Sequence, residues 1–179
     1  MDPQAILQFW FEETPPAAWW KKDADFDALI GQRFGAVFKA ACAGELHHWR
    51  ESAQGALAEI IVLDQFSRNM FRDTARAFAQ DAQALVLAQE AVRRGLHGEL
   101  STTQRSFLYL PYMHSESRRV HEEALRLYQS LGIASNLDFE IRHKVIIDRF
   151  GRFPHRNAIL GRPSTPDEVA FLAEPGSSF

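Results

Sequence analysis

Residues 57–71 read LAEIIVLDQFSRNMF. On a helical wheel of about 100° per residue, Leu57, Ile61 and Phe71 form one stripe, and Val62, Leu63, Phe66 and Met70 fall on the opposite side. A helix that is apolar nearly all round belongs in the interior. Asp64 and Arg68 share the first stripe four residues apart, so their charges are costly there unless paired. An ion pair along the helix is one solution, and a catalytic use of Asp64 is the other. Gln65, Asn69 and Arg72 make a polar strip beside it that can line a pocket.

Helical spacing continues in both directions, and alternating runs bounded by turn residues are missing, so the chain reads as all-α. A short helix over PQAILQFWF starts at Pro3, and Asp23 or Asp25 can cap a second that runs from Phe26 to Ala43 before Gly44. Further helices are expected over Leu57–Phe71, Ala75–Arg94, Thr103–Glu116, Arg118–Leu131 and Phe139–Phe150. The last begins at the capping box of Thr165 and Glu168, with Pro166 in its first turn, and runs to Leu172. Short turns ending in glycine suggest stacked antiparallel helical hairpins in a single compact domain over residues 1–179.

The 179 residues suffice for one sizeable core, and an apolar fraction of 46% with 14 Phe and 4 Trp argues against disorder. The net charge of −3 gives no general affinity for nucleic acid or anionic membranes. Cys42 is the only cysteine, which excludes an intrachain disulfide and a cysteine metal cage. No stretch is long and apolar enough to span a bilayer, and MDPQAILQFWFEE lacks the features of a signal peptide, so a soluble cytoplasmic protein is expected.

Three other helices each turn one ionisable group toward an apolar face. Asp81 lies among Leu85, Ala88 and Val92, His114 over Phe107, Leu110 and Pro111, and His143 on the stripe of Phe139, Ile146 and Phe150. Each alone reads as a satisfied core residue. If they converge with Asp64, they make a polar centre in an apolar shell, the composition of a small-molecule site. Asp64, Asp81, His114 and His143 are then candidates for general acid/base chemistry. No metal is expected, because His114 and Glu116 point apart on a helix and no His-Glu-x-x-His pair exists. Gly-x-Ser-x-Gly and phosphate-cradling glycine loops are also absent, so no cofactor is expected.

The segment RFGRFPHRNAILGR, residues 149–162, carries a charge of +4 in a chain whose remainder is −7. Pro154 restricts Phe153, so the chain must leave the helix at Gly151 and turn. Phe150, Phe153, Ile159 and Leu160 can anchor such a loop and fix the directions of Arg152, His155, Arg156 and Asn157. A guanidinium fork held this way binds carboxylate or phosphate, or it ties the loop to acids elsewhere in the protein. The expected anion site joins Arg152, His155, Arg156 and Asn157 to Gln65, Arg68, Asn69 and Arg72.

The strings ILQFWF, LAEIIVLDQFSRNMFR, AFAQDAQAL, FLYLPYMHSES and RFGRFPHRNAILGRPSTPDEVAFL resemble the bacterial domain-of-unknown-function family 924 over nearly the whole chain. The resemblance implies a tetratricopeptide-like helical superhelix and transfers no activity, cofactor or catalytic residue. Three functions follow from the residues. The first is a binding module for a small anionic ligand or the acidic end of a peptide. The second is an acid/base enzyme acting on a small anion, and the third is RNA binding, for which the aromatic residues look too buried. Ligand identity, catalysis and oligomeric state are not legible.

Overall fold

The computed structural model describes residues 1–178, and among these it contains helices and turns but no strand. The chain runs through α1 (Pro3–Gln8), α2 (Ala24–Cys42), α3 (Ala53–Ile61), α4 (Ser67–Met70), α5 (Asp81–Arg93), α6 (Thr102–Met113), α7 (Arg118–Leu131), α8 (Ala134–Phe150) and α9 (Pro166–Leu172). Capping chemistry sets several of these starts. Asp23 accepts from the backbone of Asp25 and Phe26, Ser101 and Gln104 close a capping box on α6, and Thr165 and Glu168 close another on α9.

The stretch around Asp64 is the axis of the molecule. All of α3 except Gln54 is buried, and it continues without a break through a π-helical turn, Val62–Phe66, into α4. A π turn takes one more residue than an α turn and is found mostly as a local bulge, often at functional sites. α3 packs against α1, α5 and α6, while α2 packs against the π turn and α4. From α5 to α8 each helix packs on the next in sequence, as in stacked hairpins. The wrapping of the N-terminal helices around α3 is not such a sequential stack.

The helix expected over Ala75–Arg94 is interrupted. Ala75–Phe78 is a single 3₁₀ turn, and α5 starts at Asp81, which places that acid in a first helical turn where its charge is favourable. α8 starts five residues earlier than its expected Phe139, and Phe139 is half exposed while its neighbour Glu140 is fully buried. α6 stops at Met113 instead of Glu116, leaving His114 as its C-terminal cap. At the other end of the chain, Ile146, Ile147 and Phe153 form a small apolar cluster of their own, flanked by Phe150 and Phe171. No helix among the described residues is long and apolar enough to cross a membrane.

Candidate functional site

Four helices and one loop bring ionisable groups together beside the π turn. Asp64, inside that turn, is buried, and Gln65 Nε2 donates to its Oδ2 at 2.6 Å. Arg68, one turn on, donates Nη1 to the Asp64 carbonyl at 2.8 Å and lies 3.2 Å from its Oδ1. The expected pairing of Asp64 with Arg68 is therefore present, though most of the guanidinium faces elsewhere. Its two terminal nitrogens form a fork on the carboxylate of Asp81, both at 2.9 Å. The π turn and the break before α5 are what let residues from two elements meet in this way.

His114, capping α6, faces Asp64 Oδ1 with its Nδ1 at 2.8 Å. His143 of α8 lies next to it, with ring centroids 6.5 Å apart, and its Nδ1 donates to the Phe139 carbonyl at 2.7 Å. Arg156 comes from the loop after α8. It is buried, its carbon centre lies 4.5 Å from the Phe78 ring and 4.6 Å from the Phe153 ring, and its Nη1 donates to Asp81 Oδ2 at 3.2 Å. Its Nε is buried without a hydrogen-bond partner among the described residues. His155 packs against Phe153, ring centroids 5.7 Å apart.

The electrostatics follow from burial and from the two guanidinium groups. Burial alone would raise the Asp64 carboxyl, but Arg68 and His114 outweigh it and hold the acid below its usual range. Burial and the adjacent Arg68 lower His114. Burial pushes His143 down to about 3, and burial together with Arg156 pushes His155 down to about 4. Arg156 itself is lowered to about 10 by burial and by Arg68. The centre thus holds two carboxylates, two guanidinium groups and neutral imidazoles.

The expected anion cradle does not assemble as a whole. Arg72 forms a fork on Asp27 of α2 at 2.7 and 2.9 Å, and Asn69 donates to the same carboxylate at 2.8 Å. The inserted residue of the π turn shifts Gln65 out of register with these two, so the strip drawn on a regular wheel splits. Arg152 forms a fork on Glu168 at 2.6 and 2.7 Å and also reaches the Pro163 carbonyl. Asn157 donates to Ser164 and Glu168 and accepts from Arg162, which forms a fork on Glu116. Arg152, Arg162 and Asn157 are internal clamps of the loop, and only Arg156 and His155 of that segment turn toward Asp81 and His114.

The acids that close these clamps were not singled out from the sequence. Glu168 was legible as a helix cap, and the same carboxylate also binds Arg152 and Asn157. Glu59 lies in the quoted apolar stretch, where a lone charge was a signal in plain view; it is fully buried and held by Arg50 at 2.7 Å through both oxygens. His121 and Glu140 form a pair buried on both sides at 2.8 Å, and His121 Nε2 lies 2.8 Å from the Ser115 carbonyl, beside His114. Two open grooves lie away from the centre, one between α2 and the Ala75–Phe78 turn, the other beside Tyr112 and Arg119. Neither includes a residue of the polar centre, which is recognised by its chemistry and not by concavity. No group of three or more His, Cys, Asp or Glu among the described residues is placed to hold a metal ion.

A family model described as bacterial protein of unknown function (DUF924) matches residues 6–176. The chain belongs to this family. A solved structure, that of a protein of unknown function from Agrobacterium tumefaciens, superimposes with a TM-score of 0.91 at 42% identity, covering 96% of each chain. No curated protein matches. The similarity therefore supports the fold of this DUF924 member and carries no activity over to it.

Proposed function

We propose that the polar centre is a general acid/base site for a small anionic substrate, with His114 as base and Arg156 as anion holder. The observation that carries this is the 2.8 Å contact between Asp64 Oδ1 and His114 Nδ1. An ionised Asp64 accepts the Nδ1 proton, which fixes the tautomer and leaves the lone pair on Nε2. That nitrogen has no hydrogen-bond partner among the described residues and is not sealed in the core. A neutral, oriented imidazole can take a proton from a bound molecule or a water and return it, while Asp64 stabilises the imidazolium. Asp81 gives the two arginines their positions. Arg156 spends one donor on the protein, so it has others for a ligand.

A second reading, binding without chemistry, is favoured by the same buried, incompletely bonded Arg156. The acidic end of a peptide would satisfy it as well as a small molecule. RNA binding is less well supported, because Trp10, Phe66 and Phe107 are packed in the core and only Trp20 among the tryptophans is largely exposed. The test is a nitrogen-15 spectrum of the histidines at pH 7, with and without acetate. The proposal expects His114 to carry its proton on Nδ1 and its Nε2 resonance to move with acetate. A proton on Nε2, or a resonance indifferent to every small anion tried, would refute it.

A further inference from the structure

The donors and acceptors around the polar centre restrict what can enter it, given the reading of His114 and Arg156 above. Two carboxylates already balance two guanidinium groups, and Asp81 Oδ2 binds both Arg68 at 2.9 Å and Arg156 at 3.2 Å. A dianion on Arg156 would meet that oxygen at close range, whereas a single negative charge leaves the smaller repulsion. A planar carboxylate also matches the guanidinium fork, which Phe78 and Phe153 hold between their faces. The anionic end is accordingly a carboxylate.

The other end of the ligand must donate a hydrogen. His114 gives its Nδ1 proton to Asp64, so in the neutral ring Nε2 is the acceptor. An ammonium would satisfy an acceptor, but Arg68 Nη1 lies 3.2 Å from the same Asp64 oxygen that holds His114. A second cation there is repelled, and a neutral hydroxyl is not. We infer that the ligand of the polar centre is a small hydroxy carboxylate, its carboxylate on Arg156 and its hydroxyl donated to His114 Nε2.

The experiment is calorimetric titration of the full chain with glycolate, acetate, glycine and inorganic phosphate. Glycolate is expected to bind tightest, with acetate about tenfold weaker, the factor that one net hydrogen bond contributes. Glycine and phosphate are expected to be no tighter than acetate. His114→Ala should bring glycolate down to the affinity of acetate, and Arg156→Gln should abolish both. Circular dichroism reports whether Arg156→Gln folds; if it does not, the four ligands on the wild-type chain still decide. Equal binding of acetate and glycolate, both lost in Arg156→Gln, would overturn the hydroxyl and leave the anion site standing. Tighter binding of glycine or phosphate than of glycolate would overturn the inference alone. Binding of none of the four would overturn both this inference and the function proposed above.

Discussion

Acidification should destabilise this protein well before its carboxylates titrate. His143 and His155 are held to about 3 and about 4 in the folded chain, against 6.5 for a free imidazole. Below pH 6.5 the unfolded chain binds protons that the folded chain refuses, so stability rises with pH through that range and is lost as pH falls. Between pH 7.5 and 5 each imidazole contributes about 2 kcal/mol to the loss, or about 4 kcal/mol for the pair. His114, lowered as well, acts in the same direction. Glu140 acts in the opposite one, because burial raises its carboxyl and the folded chain there binds the extra proton. The single-site difference removes that complication. Urea unfolding at pH 7.5, 6 and 5 should show His143→Gln losing about 2 kcal/mol less than the wild type over the interval, at equal m-values. Parallel curves for the two proteins would show that His143 titrates normally and that the electrostatic account of the centre is wrong.

Arg50→Ala leaves the buried Glu59 carboxylate without its counterion and should cost about 3–5 kcal/mol in urea unfolding at pH 7. Two helical glycines should respond with opposite signs. A Cβ on Gly55 would run into the Trp49 carbonyl, so Gly55→Ala should destabilise by about 1–3 kcal/mol, whereas Gly35 has nothing within 4 Å and Gly35→Ala should stabilise by about 0.5–1 kcal/mol. Both follow from thermal melts. Arg152→Gln should speed amide exchange over residues 165–172 without changing the response of the chain to acetate, because its guanidinium is committed to Glu168. An unchanged exchange rate there would show that the clamp is dispensable.

What could be read from the sequence was what neighbouring residues decide. The cap at Asp23, the capping box at Thr165, the span of α7 and the Asp64–Arg68 pair all depend on residues within four positions of one another. The wheel also indicated correctly that Asp64, Asp81, His114 and His143 turn inward. It could not say which charge each inward group meets. Arg156 finds Asp81 across 75 positions, Arg162 finds Glu116 across 46, and Arg72 finds Asp27 across 45. An arginine that clamps its own chain and one that awaits a ligand have the same local sequence, so the loop of residues 149–162 looked like one site when it is mostly its own scaffold. Phe139, which the wheel places on the inward stripe of His143, is half exposed for a related reason: its neighbour Glu140 is buried against His121, which lies on another helix.

The π turn at Val62–Phe66 marks the one place along the central helix where a difference of one residue in length can be taken up without moving the helix on either side. The lower twist of a π turn absorbs its extra residue locally, so deleting one residue between 62 and 66 would let the helix close into regular α geometry with α3 and α4 still in register. What would be lost is the placement of the residues inside the turn, Asp64 against His114 above all. Homologous chains can therefore shed that residue and keep the packing of the axis, but not the contact that the bulge sets up.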